Sequence, residues 1–185
     1  MRLLPSDSFT IETTATIPQL MEALQEHVEP KKILRWGWSA HKLFEGQVTE
    51  QGFNISRIIH YRNSFKPNIR GSFEAYASSG NLFEAGVTGT NIKIEQKLSS
   101  FVLLFLVVWV GFMLQFFFFV LPGLIVAPGG LIEGLTEVGP FLLGPFGMLL
   151  FAFLIVTLAF WFEARKSRAA LEEIFGPYSR KTPGP

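Results

Sequence analysis

Two apolar runs, Phe101 to about Leu121 and about Phe141 to Phe162, set the hydropathy pattern of this chain. Each would reach about 31 Å as a helix rising about 1.5 Å per residue, enough to cross a hydrocarbon core of about 30 Å. Between Lys97 and Glu163 only Glu133 and Glu137 are ionisable, and both fall in a Pro- and Gly-rich connection. The pattern predicts a transmembrane hairpin over residues 98–162. Pro122-Gly123 is expected to loosen or end the first helix. Leu131, Ile132, Leu135 and Val138 then recur at helical spacing opposite Glu133 and Glu137, which predicts a short interfacial helix before the second span. Gln115 is the one strongly polar side chain within the first span. Its expected role is an interhelical hydrogen bond worth about 1 kcal/mol, with Thr157 as candidate partner.

Before the hairpin the period changes to two. Phe9, Ile11 and Thr13 alternate with polar residues, as in a half-buried strand. Thr16 and Gln19 have capping-box spacing, with Pro18 in the first turn where its missing N–H is harmless. Ile17, Leu20, Met21, Leu24 and Val28 then form one stripe of a helix that Pro30 ends. The segment Lys31 to Lys42 sets Lys31, Lys32 and Arg35 among Trp36 and Trp38. It reads as a connecting strand with packed tryptophans or as a contact with lipid headgroups.

Alternation returns in Phe44, Gly46 and Val48, and after Glu50-Gln51-Gly52 in Phe53, Ile55, Arg57, Ile59 and Tyr61, a hairpin signature. Phe65, Pro67, Ile69, Gly71, Phe73 and Ala75 continue as a third strand, and Thr90, Ile92 and Ile94 supply a fourth. Ser78-Ser79-Gly80-Asn81 is a turn. The expected fold class is α+β: residues 1–97 form a small antiparallel sheet with one covering helix, followed by a two-helix transmembrane hairpin. Residues 163–185 are an amphipathic helix and tail. In that helix Phe160, Ala164, Ser167, Leu171, Ile174 and Phe175 form the apolar stripe, with Glu163 assigned to the polar remainder, and Gly176-Pro177 stops it. The polar face of the sheet would display Ser56, His60, Arg62, Lys66, Asn68, Arg70, Lys93 and Lys97. Parity puts Arg57 among apolar neighbours, so it needs a carboxylate such as Glu12, Glu45 or Glu95.

Composition narrows the function classes. In 185 residues with a formal charge of +1 nothing points to nucleic acid. Without cysteine there are no disulfides, thiolate nucleophiles or cysteine metal sites. The N-terminus has no apolar core or cleavage site of a secretory signal, so the first span is the expected insertion signal. Lys93 and Lys97 precede the hairpin, Arg165, Lys166 and Arg168 follow it, and the connection has no Lys or Arg, so both ends are expected in the cytoplasm. Lys97, Arg165, Lys166 and Arg168 are the candidate membrane-interface residues.

No catalytic or cofactor motif emerges. Asp7 is the sole aspartate, and phosphate loops, nucleophile elbows and zinc-protease motifs are missing. The densest constellation is Tyr61-Arg62-Asn63-Ser64-Phe65-Lys66-Pro67. Asn63 and Ser64 can close a turn through side-chain to backbone hydrogen bonds, while His60, Arg62, Lys66 and Arg70 are candidates for binding an anionic headgroup or an acidic partner.

The pattern Phe44-x-Gly46-x-Val48, Phe53-x-Ile55-x-Arg57-x-Ile59, Tyr61-Arg62-Asn63-Ser64-Phe65-x-Pro67-x-Ile69-x-Gly71 and Gly89-Thr90-x-Ile92-x-Ile94, ahead of a membrane hairpin, resembles uncharacterised small bacterial membrane proteins. That resemblance implies a bacterial inner-membrane location and no known activity. A looser similarity, in architecture, is to membrane-tethered pleckstrin-homology-like modules. The expected function is a membrane-anchored module that binds membrane lipids, a partner protein or a second copy of itself. The alternatives are an interfacial enzyme using His60, Tyr61 and Arg62, and an accessory subunit of a larger membrane complex.

Overall fold

The computed structural model describes residues 5–31, 42–59, 63–77, 88–125 and 130–180. They form a six-stranded mixed sheet and three α-helices: β1 (Ser6–Thr13), α1 (Ile17–Gln25), β2 (Val28–Glu29), β3 (Phe44–Thr49), β4 (Gly52–Arg57), β5 (Asn68–Ala77), β6 (Thr88–Lys97), α2 (Ser100–Ile125) and α3 (Gly130–Phe175). The chain divides into two compact units, Met1–Leu98 with Ala159–Pro185, and Ser99–Leu158.

In the first unit the strands lie in the order β1-β6-β5-β4-β3-β2. All neighbours are antiparallel except β2 and β3, which run parallel. The sheet is therefore mixed, where the alternation alone suggested antiparallel pairing. A parallel pair needs a crossover of about a dozen residues, and Pro30 to Leu43 supplies that length. The same junction shortens the first helix. Val28, expected on the last turn of the helical stripe, is instead buried in β2, and α1 stops at Gln25. Pro30 drives Glu29 out of helical geometry, and β-branched Val28 loses little by following it. At the other end of α1, Gln19 Oε1 accepts the Thr16 N–H at 2.9 Å and the Thr16 hydroxyl at 3.1 Å.

Register sorts the side chains into rows. On the inner face Asp7, Gln96, Ile69, Ile55 and Gly46 are successive neighbours across β1, β6, β5, β4 and β3, followed by Phe9, Ile94, Gly71, Phe53 and Val48. Leu20 and Leu24 of α1 join these rows in one apolar cluster, and so do Leu171, Ile174 and Phe175 from the end of α3. The rings of Phe53 and Phe175 lie 6.5 Å apart. Leu171 and Phe175 are wholly buried, worth about 1.5–3 kcal/mol each.

Gly46 and Gly52 hold φ of +148° and +152°. A Cβ there would clash with the carbonyl oxygen of Asn54 at Gly46 and of Gly71 at Gly52. Gly46→Ala and Gly52→Ala are each expected to cost about 1–3 kcal/mol. Thermal melts check this, and an unchanged midpoint would refute the close approach of these strands.

In the second unit α2 continues through Pro122 to Ile125, and α3 runs unbroken past Pro140 and Pro145. The short interfacial helix and the second span expected from the sequence are thus one helix. A proline interrupts one backbone hydrogen bond without forcing the remaining turns apart, and apolar helices tolerate it. Two helices are long and apolar enough to cross a membrane, with spans Ser100–Val120 and Leu143–Tyr178 at mean hydropathy 2.5 and 2.3. Only 6% and 11% of their most apolar stretches are buried, whereas the core helix of a water-soluble protein hides its apolar side chains. Phe117 meets Phe146 at a centroid distance of 4.5 Å. Gln115 is exposed and makes no hydrogen bond with Thr157 among the described residues, so the expected polar contact between helices is not formed.

Candidate functional site

The outer face of the sheet carries the cations singled out in the sequence, and register shows what lies beside them. Lys97, Asn68, Ser56 and Glu45 form one row across β6, β5, β4 and β3, and Glu95, Arg70, Asn54 and Gln47 form the next. Lys66 Nζ donates to Glu45 Oε1 at 3.0 Å and to the Arg57 carbonyl at 3.4 Å, and Glu45 also accepts from the Ser56 hydroxyl at 3.1 Å. Lys97 donates to Glu95 at 2.6 Å, Lys93 pairs with Glu74 at 2.8 Å, and exposed Arg70 stands opposite Glu95. Among the described residues Lys66, Arg70, Lys93 and Lys97 share this face with Glu12, Glu29, Glu45, Glu74 and Glu95, so its cations stand among a slight excess of carboxylates. Water screens the exposed Lys93–Glu74 and Lys97–Glu95 pairs, so they add little to stability, whereas Glu45 is buried beneath Lys66. His60, Tyr61 and Arg62 lie outside the described residues. The turn beside them forms as its composition suggested, with the Asn63 Oδ1 accepting the Phe65 N–H at 2.9 Å.

Lys97 holds the Glu95 carboxyl below the usual carboxylate range, chiefly through the hydrogen bond and then through its charge, with Arg70 adding to the effect. A lowered folded-state value means that this contact supports folding above the unfolded carboxylate range and fades as pH falls through the folded one. In an NMR titration Glu95 is expected to titrate lower in the native protein than in Lys97→Met. Equal midpoints would show that the contact is absent in solution.

The candidate interface residues separate into two groups. Arg165 and Lys166 are exposed on α3, with Lys166 Nζ 4.0 Å above the Phe162 ring. Arg168 instead serves the sheet unit. Its Nε donates to Glu172 at 2.8 Å, its guanidinium lies 4.5 Å over the Phe9 ring, and its Nη1 is 3.9 Å from Asp7.

The most enclosed polar contact was only half legible. Arg57 points to the inner face, as parity requires, and its Nη1 donates to Glu163 Oε2 at 2.9 Å. The suggested partners Glu12, Glu45 and Glu95 all project from the opposite face, since they alternate with the core positions of their strands. The Glu163 side chain is fully buried while that of Arg57 is 25% exposed. Glu163 does not belong to a solvated helix face, and the sequence did hold the signal: Glu163, Ser167 and Leu171 recur at four-residue spacing on the buried stripe. Gln96 of β6 and Ser167 of α3 are also fully buried polar residues.

A shallow depression lined by Gln47, Thr49, Gln51 and Asn54 contains no titratable group. Among the described residues no three His, Asp or Glu side chains converge as a metal site. No family model, curated protein or solved structure matches this chain.

Proposed function

We propose that this chain is an integral membrane protein, with α2 and α3 as a two-pass hairpin, both ends in the cytoplasm, and the sheet unit acting as a binding module held at the bilayer. The carrying observation is that two long apolar helices are bare along nearly their whole surface and both are joined directly to a folded unit. Only Leu98 and Ser99 separate β6 from α2, and α3 passes without a break from the apolar unit into the sheet's core. The ring contact between Phe117 and Phe146 supports an antiparallel hairpin. The resemblance to small bacterial membrane proteins supports an inner-membrane location.

Of the ligands considered, a protein partner is favoured over anionic headgroups for the sheet face, because each described cation there lies beside a carboxylate. Exposed Arg165 and Lys166 are the residues suited to headgroups. Reporter fusions at both ends and within residues 126–129 test the topology, with periplasmic activity expected only from the internal site. An active periplasmic reporter at the N-terminus would refute the orientation. Purification in mild detergent is expected to retain a stoichiometric protein partner. A chain that purifies alone and binds vesicles only when they contain anionic lipid would replace this reading with the headgroup one.

A further inference from the structure

Over residues 101–120 of α2 the described side chains that are not exposed are Val102, Leu106, Trp109, Met113, Phe117 and Val120. They recur every three or four residues and so form one stripe, and the ring contact of Phe117 with Phe146 identifies it as the face turned to α3. The opposite face carries a second series at alternating intervals of four and three: Leu104, Val108, Gly111, Gln115 and Phe118, each of them exposed. That is the spacing of a helix–helix seam. On a helix this bare, spacing alone selects nothing, and chemistry makes the choice. Gln115 has no hydrogen-bond partner among the described residues. One turn before it, no atom of α3 comes within 4 Å of where a Cβ of Gly111 would stand. From Leu143 to Leu158 the exposed residues of α3 are apolar or glycine, so the other span offers no such group.

Gln115 lies 15 residues beyond Ser100, where α2 begins, and thus about 22 Å along a helix that crosses a hydrocarbon core of about 30 Å. Lipid cannot satisfy its amide, and an unmet donor or acceptor there is costly. The amide is self-complementary, since its NH2 donates and its carbonyl accepts. Two copies inserted in the same orientation bring Gln115 to the same depth, and about a two-fold axis the seam meets itself. Resting on the hairpin reading above, we propose that this protein is a dimer in the bilayer, formed by α2 of each copy packing along Leu104, Val108, Gly111, Gln115 and Phe118, with the two Gln115 side chains hydrogen-bonded to each other. Gly111 lets the backbones approach closely beside that pair. Leucine and phenylalanine are equally at home against lipid, so the amide pair fixes the register and the number of copies.

The chain has no cysteine, so single cysteines introduced into the full chain report the seam directly. Oxidation in the membrane is expected to give disulfide-linked dimers of Leu104→Cys, Val108→Cys and Phe118→Cys, while Leu103→Cys and Val110→Cys, which are exposed on other faces of α2, stay monomeric. Energy transfer between fluorescently tagged copies in lipid vesicles, followed against the protein-to-lipid ratio, is expected to show Gln115→Leu dimerising about tenfold more weakly than the native chain. Gln115→Asn, which keeps an amide, is expected to retain most of the affinity. Cross-linking with no preference for the seam, a native chain that stays monomeric at every ratio, or unchanged dimerisation of Gln115→Leu would each overturn the proposal. Seam cysteines that cross-link in native membranes to a different protein would overturn it as well. A chain that an alkaline wash strips from the membrane would instead overturn the hairpin reading, so the two failures are told apart.

Discussion

A chain lacking residues 159–185 will lose its sheet, whereas residues 1–98 joined by a flexible linker to residues 159–180 will fold and stay in solution without detergent. The strands and α1 cover only part of the inner face. Leu171, Ile174 and Phe175 close the remainder, and Phe175 stacks beside Phe53 at the middle of the sheet. Within the full chain, Phe175→Ala is expected to cost about 3–5 kcal/mol and Leu171→Ala about 2–5 kcal/mol. Either is a large share of the stability of a domain this small. A Gly/Ser linker of about 20 residues has a root-mean-square reach of about 25 Å, enough for the two pieces to find each other. Circular dichroism and amide NMR dispersion provide the measurement. A well-dispersed spectrum from residues 1–98 alone would sink the prediction.

The second large effect is an asymmetry within one ion pair. Arg57→Leu leaves the Glu163 carboxylate in a fully enclosed site, and stranding a buried charge costs about 3–5 kcal/mol. Glu163→Gln leaves instead an arginine whose side chain is a quarter exposed and can turn its guanidinium to water. Its expected cost is about 1–2 kcal/mol. Replacing both by apolar residues of similar volume is expected to cost less than Arg57→Leu alone. Denaturant unfolding of the linked sheet unit checks all three. Equal losses from the two single changes, or a double change worse than either, would refute this account.

The strands were legible because their partners share a simple rule. A period of two in Phe9–Thr13, Phe53–Arg57 and Thr90–Ile94 marks which side chains meet the core regardless of strand order. The Thr16–Gln19 cap and the Asn63 turn were legible because each involves residues within three positions of one another. Val28 was misread because a residue four beyond Leu24 fits a helical stripe as well as it fits a new strand. The pairing of charges on the outer face was hidden for a different reason. Lys66 and Glu45, or Arg70 and Glu95, become neighbours only once register is set, and no count along the chain shows it. The Arg57–Glu163 pair is the extreme case, joining two residues of the sheet unit that the whole apolar unit separates in sequence. Parity announced that Arg57 needed a partner and helical spacing put Glu163 on a buried stripe, but nothing local connects the two.

The discontinuity of the sheet unit also imposes an order on its biosynthesis. Its strands leave the ribosome before all of Ser99–Leu158, and the helix that seals them emerges only afterwards. At translation rates of about 5–20 residues per second the nascent sheet waits for about 3–12 s with Phe53, Phe73 and Ile92 uncovered. Maturation of this protein therefore depends on whatever shields that nascent face until the end of α3 has been made.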